Sequence, residues 1–177
     1  VAQAEAEAAE ATARAEADAA LGEIRVALET GAPFAEPLAT AAEVTDVPEG
    51  LSAAADSGVA TLRELQAAFP PLAREALPVA LRDSAGESMA DRLGAFVMGQ
   101  IGGRSVEPRA GDDPDAVLSR VEAAVRSGDL AAALDEIDAL PRGAQEVLAP
   151  WVADVEARAA ATEGLQTLSA ALSGTGN

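Results

Sequence analysis

Residues 111–151, GDDPDAVLSRVEAAVRSGDLAAALDEIDALPRGAQEVLAPW, restrict the fold more than any other stretch of this chain. Asp112 or Asp113 is placed to cap a helix whose first turn holds Pro114, where a missing N–H removes no hydrogen bond. Val117, Leu118, Val121 and Val125 then recur at helical spacing. Gly128 supplies a left-handed stop, and Asp129 caps the next helix at once. Leu130, Leu134, Ile137 and Leu140 form that helix's apolar stripe, which Pro141 ends. A turn this tight makes the two helices antiparallel neighbours, so their stripes must face a shared third surface. The stretch from Gln145 to Leu172 supplies it through Val147, Leu148, Trp151, Val152 and Val155. Val117, Val121, Leu134, Ile137, Leu148, Trp151 and Val152 belong to this packing module, which shows no chemistry of its own.

Composition agrees with helices throughout. Alanine fills about a quarter of the 177 positions and aromatics only 2%, so the interior is built from Leu, Val and Ala. Such a core suits close helix–helix packing and suits sheets poorly, because sheets favour β-branched and aromatic residues. The predicted fold is all-α: an N-terminal coiled-coil-like helix, then short helices, then a C-terminal antiparallel helical-hairpin bundle. The chain opens on Val inside a helical pattern and reads as a fragment of a longer protein.

The residue inventory excludes whole classes of function. Twelve arginines, no lysine and 30 acids give a net charge of −18, which rules out phosphate-backbone recognition and so nucleic acid. The same charge argues against general adhesion to anionic lipid, although a local patch can still bind. Without His, Cys or Lys there is no Ser–His–Asp or Cys–His triad, Ser–Lys dyad, Schiff base, Walker lysine or His/Cys zinc site. Asp56-Ser57-Gly58 matches the aspartic-protease tripeptide, but it lies between helical stretches and reads as a helix end with Gly58 as its stop. Asp112, Asp113 and Asp115 lack the spaced oxygen ligands and closing Glu of a calcium loop, and helix capping accounts for them. No catalytic residue, cofactor or metal site is expected. No uncharged run approaches the ~20 residues needed to span a bilayer.

Along the chain, residues 2–30 are Ala/Glu-rich, with Leu21, Ile24 and Leu28 at the spacing of a coiled-coil seam, and a solvated single helix fits the stretch equally well. Upstream of them the seam is mostly alanine, and the first dozen residues are expected to fray. Gly31-Ala32-Pro33 ends this helix, giving a first segment of 1–31. A helical region of 32–109 follows, with Phe34, Leu38, Leu51, Val59, Leu62 and Leu65 as core contributors. Ala68-Phe69-Pro70-Pro71 is read as a firm break, and Pro78 as the kink of a further short helix. Residues 110–173 make the terminal bundle and 174–177 a disordered tail.

The segment singled out for function is 89–109. Positions 93–103 carry no charge, and residues 92–109 have a net charge of +2, leaving −20 on the remainder. On a helix Met89, Leu93, Phe96, Val97 and Ile101 share one face, with Arg92, Arg104 and Arg109 toward the ends. That is the pattern of an interfacial helix lying among lipid headgroups. Burial as ordinary core is the competing account of the apolar stripe, and it does not require the arginines.

The block from GDDPDAVLSR through RSGDLAAALDEIDALP to the helix with Trp151, VADVEARAAATEGLQTLSAAL, resembles the C-terminal mitofilin domain of alphaproteobacterial relatives of the mitochondrial crista-junction organiser. ALETGAPFAEPLATAA, SGVATLRELQAAFPPLAREAL and DRLGAFVMGQIGGRSVEPR look like the segments that precede it, so the resemblance covers nearly the whole chain. It implies a non-enzymatic membrane organiser that oligomerises, contacts lipid through the helix before the terminal signature and bends membranes. Its C-terminal helices are then expected to mediate self-association or partner docking, with Val117, Val121, Leu134, Ile137, Leu148, Trp151 and Val152 as the candidate residues. It also implies a bacterial inner-membrane protein, held on the periplasmic side by an upstream transmembrane anchor. A soluble helical-hairpin scaffold for protein–protein interaction, without lipid contact, is the alternative.

Overall fold

A computed structural model describes residues 1–85 and 111–174. Every regular element among them is an α-helix: α1 (Ala2–Thr30), α2 (Ala35–Ala42), α3 (Glu49–Ala54), α4 (Leu62–Ala85), α5 (Pro114–Ser127), α6 (Leu130–Ile137) and α7 (Arg142–Gly174). The all-α expectation is met. The helices form two compact units, Val1–Leu62 with Asp154–Asn177, and Arg63–Ala153. The first unit thus joins the two ends of the chain, and α7 contributes to both. A division of the sequence into consecutive segments does not show this, because the last third of the chain is shared.

In the first unit α1 packs on α2, and its stop is local chemistry. Gly31 takes φ 78° and donates its N–H to Ala27 O at 2.8 Å, with Ala32 N–H on the same carbonyl at 3.1 Å. Leu21, Ile24 and Leu28 turn inward: Ile24 and Leu28 are buried with Phe34, Leu38 and Leu51, and Leu21 packs against that cluster. The seam read as coiled coil therefore serves the unit's own core. Residues 1–12 are helical from Ala2 yet exposed throughout.

The end of α7 lies antiparallel to α1, and two arginines fix the register. Arg14 donates to Leu172 O at 2.8 Å, and Arg158 donates to Leu28 O at 2.9 Å and Ala60 O at 3.0 Å. Leu28 and Leu172 stand in the last turns of their helices, where carbonyls lack intrahelical partners, so each guanidinium satisfies a group that burial would otherwise penalise. Close approach completes the packing. A Cβ on Gly50 would run into the backbone of Ala160, and one on Gly164 would meet Leu51 Cγ at 3.0 Å.

The second unit corrects one expectation. The firm break at Pro70-Pro71 does not exist: α4 runs unbroken through Pro70, Pro71 and Pro78. An interior proline costs about 3 kcal/mol by removing an N–H and crowding the carbonyl four residues back. Here the bereft carbonyls belong to Gln66, Ala67 and Arg74, and Ala67 and Arg74 are exposed, so water can solvate that side. On the opposite side Leu65, Phe69, Ala76 and Ala80 are buried, and tertiary packing holds the helix against its own propensity.

The helix starts and the glycine stop between α5 and α6 form as read. Asp113 Oδ1 accepts from Ala116 N–H at 3.0 Å with Pro114 at the first turn, and Asp129 Oδ1 accepts from Ala132 N–H at 3.0 Å. Between them Gly128 adopts φ 82°. Asp113→Ala and Asp129→Ala are each expected to cost about 1 kcal/mol in urea-induced unfolding, since each leaves one helix N–H without its acceptor.

Candidate functional site

The candidate lipid-contact residues Met89, Arg92, Leu93, Phe96, Val97, Ile101, Arg104 and Arg109 lie outside the described residues. What is described is where the chain leaves for that segment and where it returns. Just before the segment, Asp83 Oδ2 accepts from Gly143 N–H at 3.1 Å, satisfying an N–H in the first turn of α7. Just after it, Arg120 Nη1 donates to Gly111 O at 2.7 Å. The same guanidinium grips Glu136 on α6, with Nε 2.9 Å from both carboxylate oxygens. Hydrogen bonding to Glu136 raises the Arg120 pKa, against the desolvation that lowers it, with further help from the charges of Glu136, Asp112 and Asp113.

Asp83, Ser84, Asp112, Pro114, Leu140 and Arg142 line one cavity of about 490 Å³. The exit and the return of the 86–110 segment therefore meet at one place on the second unit. Each is tied to an element of that unit by a charged side chain. Sequence reading did not single out Asp83, Arg120 or Glu136, because their partners are 60, 9 and 16 positions away and no local pattern marks them.

The candidate partner residues fall in a different place. Val117, Val121, Ile137, Leu148 and Trp151 are buried, while Leu134 and Val152 are half-buried. Five of the seven thus serve the interior of the second unit and are not presented to a partner. Their apolar spacing is real, but its cause is the fold. Trp151 packs where the hairpin pattern did not point, against α4. Its Nε1–H donates to Leu65 O at 3.0 Å, and its ring stands 5.1 Å from that of Phe69 at an interplanar angle of 58°. Such a tilted pair brings a ring edge toward a ring face and adds to the burial of both. Gln66 extends the tie from α4 by donating to Val125 O at 3.0 Å and Arg126 O at 3.3 Å, near the end of α5.

Asp56 and Ser57 are exposed, and Gly58 takes φ 71° and donates to Ala54 O at 2.8 Å as the stop after α3. Among the described residues no three His, Cys, Asp or Glu side chains are grouped to hold a metal ion. No helix of the described residues is long and apolar enough to cross a membrane. No protein-family profile, curated protein or solved structure matches this chain.

Proposed function

We propose that this chain is a mitofilin-like, non-enzymatic membrane-organising domain that self-associates and touches the bilayer surface through residues 89–109. The observation that carries the reading is the contrast between that segment and its setting. An uncharged run with arginines toward both ends interrupts a chain of net charge −18, between helices whose facing ends are anchored by Asp83 and Arg120. An acidic body is repelled by anionic lipid, so contact has to be local, and this is the stretch with the opposite sign and an apolar stripe. The resemblance of 111–172 to the mitofilin signature supports the same reading. In this account the protein works on the periplasmic face of a bacterial inner membrane, tethered by an anchor upstream of Val1. Partner docking falls to surface left outside the buried hairpin core, where Leu134 and Val152 are half-exposed.

Vesicle flotation tests it. The chain is expected to float with vesicles containing anionic lipid at low salt, and less so at high salt, as the Debye length shortens. Replacing Arg92 and Arg104 with Ser should weaken that binding by about 1 kcal/mol per charge. A chain that stays at the bottom of the gradient with every vesicle is the soluble scaffold instead.

A further inference from the structure

We infer that the outer face of α1 is the docking groove for a basic amphipathic helix of another protein. The inward seam of α1 is filled by its own unit, but a second seam runs along the side facing solvent. Ala8, Thr12, Ala15, Ala19, Gly22 and Val26 follow one another at alternating spacings of four and three, the repeat of a helix that packs lengthwise on another helix. Five of the six are exposed, and Val26 is one of only three large apolar side chains exposed among the described residues, at 58%.

At its C-terminal end the stripe deepens into a groove of about 460 Å³, where Ala19, Gly22 and Val26 are met by Thr30 and the turn at Ala32-Pro33. Gly22 makes the case sharper. Glycine inside a helix costs up to about 1 kcal/mol relative to alanine, yet a Cβ at Gly22 would meet nothing within 4 Å among the described residues. Nothing among the described residues needs that position to be bare, whereas a helix backbone crossing there would.

Charge decides what the occupant is. Glu5, Glu16, Asp18, Glu23 and Glu29 border the stripe. Arg14 and Arg25 lie round toward α7, where Arg14 caps Leu172 and Arg25 lines a separate cleft with Gln166 and Ser169. The outer face is therefore acidic on both sides with no cation of its own. Two copies of it would set like charges against each other, so the face selects against a second copy of this chain. A helix with small or aliphatic residues on one seam and Lys or Arg beside it is complementary in shape and charge. The inference stands apart from the membrane reading, since α1 contains none of the residues that reading uses.

The test titrates the full chain into a fluorescent four-heptad peptide with Leu and Ala on its seam and Lys at the flanking positions. Two control peptides accompany it: one with Glu at the flanks, and one with the same lysines and a scrambled seam. The lysine peptide is expected to bind at least tenfold more tightly than either control, and more weakly as salt is raised. Gly22→Gln, which has room for its side chain, should reduce that binding at least tenfold while the melting temperature holds or rises. Equal binding of the scrambled peptide, indifference to Gly22→Gln, or no binding at all overturns the inference. So does sedimentation showing that the chain pairs with itself through this face and that Gly22→Gln separates the copies.

Discussion

Trp151→Ala is expected to destabilise the protein by about 3–5 kcal/mol, the range for emptying a fully buried large aromatic site. Trp151 is 2% exposed, and its ring is the largest side chain in an interior otherwise made chiefly of Leu, Val and Ala. Small neighbours cannot move far enough to close the hole. The substitution also removes the indole donor from Leu65 O and the ring partner of Phe69. Because α4 carries three interior prolines, its contact with Trp151 is part of what keeps it helical, so loss of helicity should accompany the loss of stability. Trp151→Phe should recover most of the packing and forgo only the hydrogen bond, a difference of about 1 kcal/mol. Urea unfolding followed by circular dichroism separates the two. As the only indole, Trp151 should also give blue-shifted, poorly quenched fluorescence in the native protein, lost on unfolding.

Gly58→Ala is expected to be the most damaging of the small substitutions, at about 3 kcal/mol or more. The left-handed backbone alone costs roughly 1–2 kcal/mol for a residue with a Cβ. Here that Cβ would also strike the carbonyl oxygens of Gly31 and Ala32, which are backbone atoms and cannot swing aside. The turns after α1 and after α3 meet at this point, so relief requires moving both. Gly22→Ala provides the contrast: the same chemical change at an open helical position should stabilise by up to about 1 kcal/mol. Thermal melts of the two variants should therefore shift in opposite directions.

The parts of the fold legible in the sequence are those with local causes. Asp113, Pro114, Gly128 and Asp129 mark helix ends because a cap or a left-handed stop is decided within four residues. Of the expected core residues Phe34, Leu38, Leu51, Val59, Leu62 and Leu65, all are buried except Leu62, which is half-buried. What spacing does not reveal is which surface each stripe meets. Pro70-Pro71 reads as a break because nothing nearby in sequence announces Trp151, 80 positions on, as the neighbour that sustains the helix. Leu21, Ile24 and Leu28 fit a coiled coil and a private core equally well, and only the return of α7 to α1 chooses between them. Five of the seven candidate partner residues are buried for the same reason, since an apolar stripe looks identical whether its cover is another chain or its own. For the 89–109 segment the sequence offers composition and charge, which bear on an environment and not on a set of contacts.

The central claim, that this segment meets lipid, rests on a substitution whose two consequences separate the possible roles. In Phe96→Asp a carboxylate replaces the ring at the middle of the apolar stripe. On a membrane-facing stripe it removes lipid burial and disturbs no packing, so flotation with anionic vesicles should be abolished while the melting temperature stays within about 2 °C of the parent, the shift left by a surface change of at most ~0.5 kcal/mol. In a packed interior the same carboxylate is an unpaired buried charge, and the protein should melt far lower or fail to fold. The account predicts lost flotation with an unchanged melt; a protein that melts far below the parent, or that floats as the parent does, contradicts it.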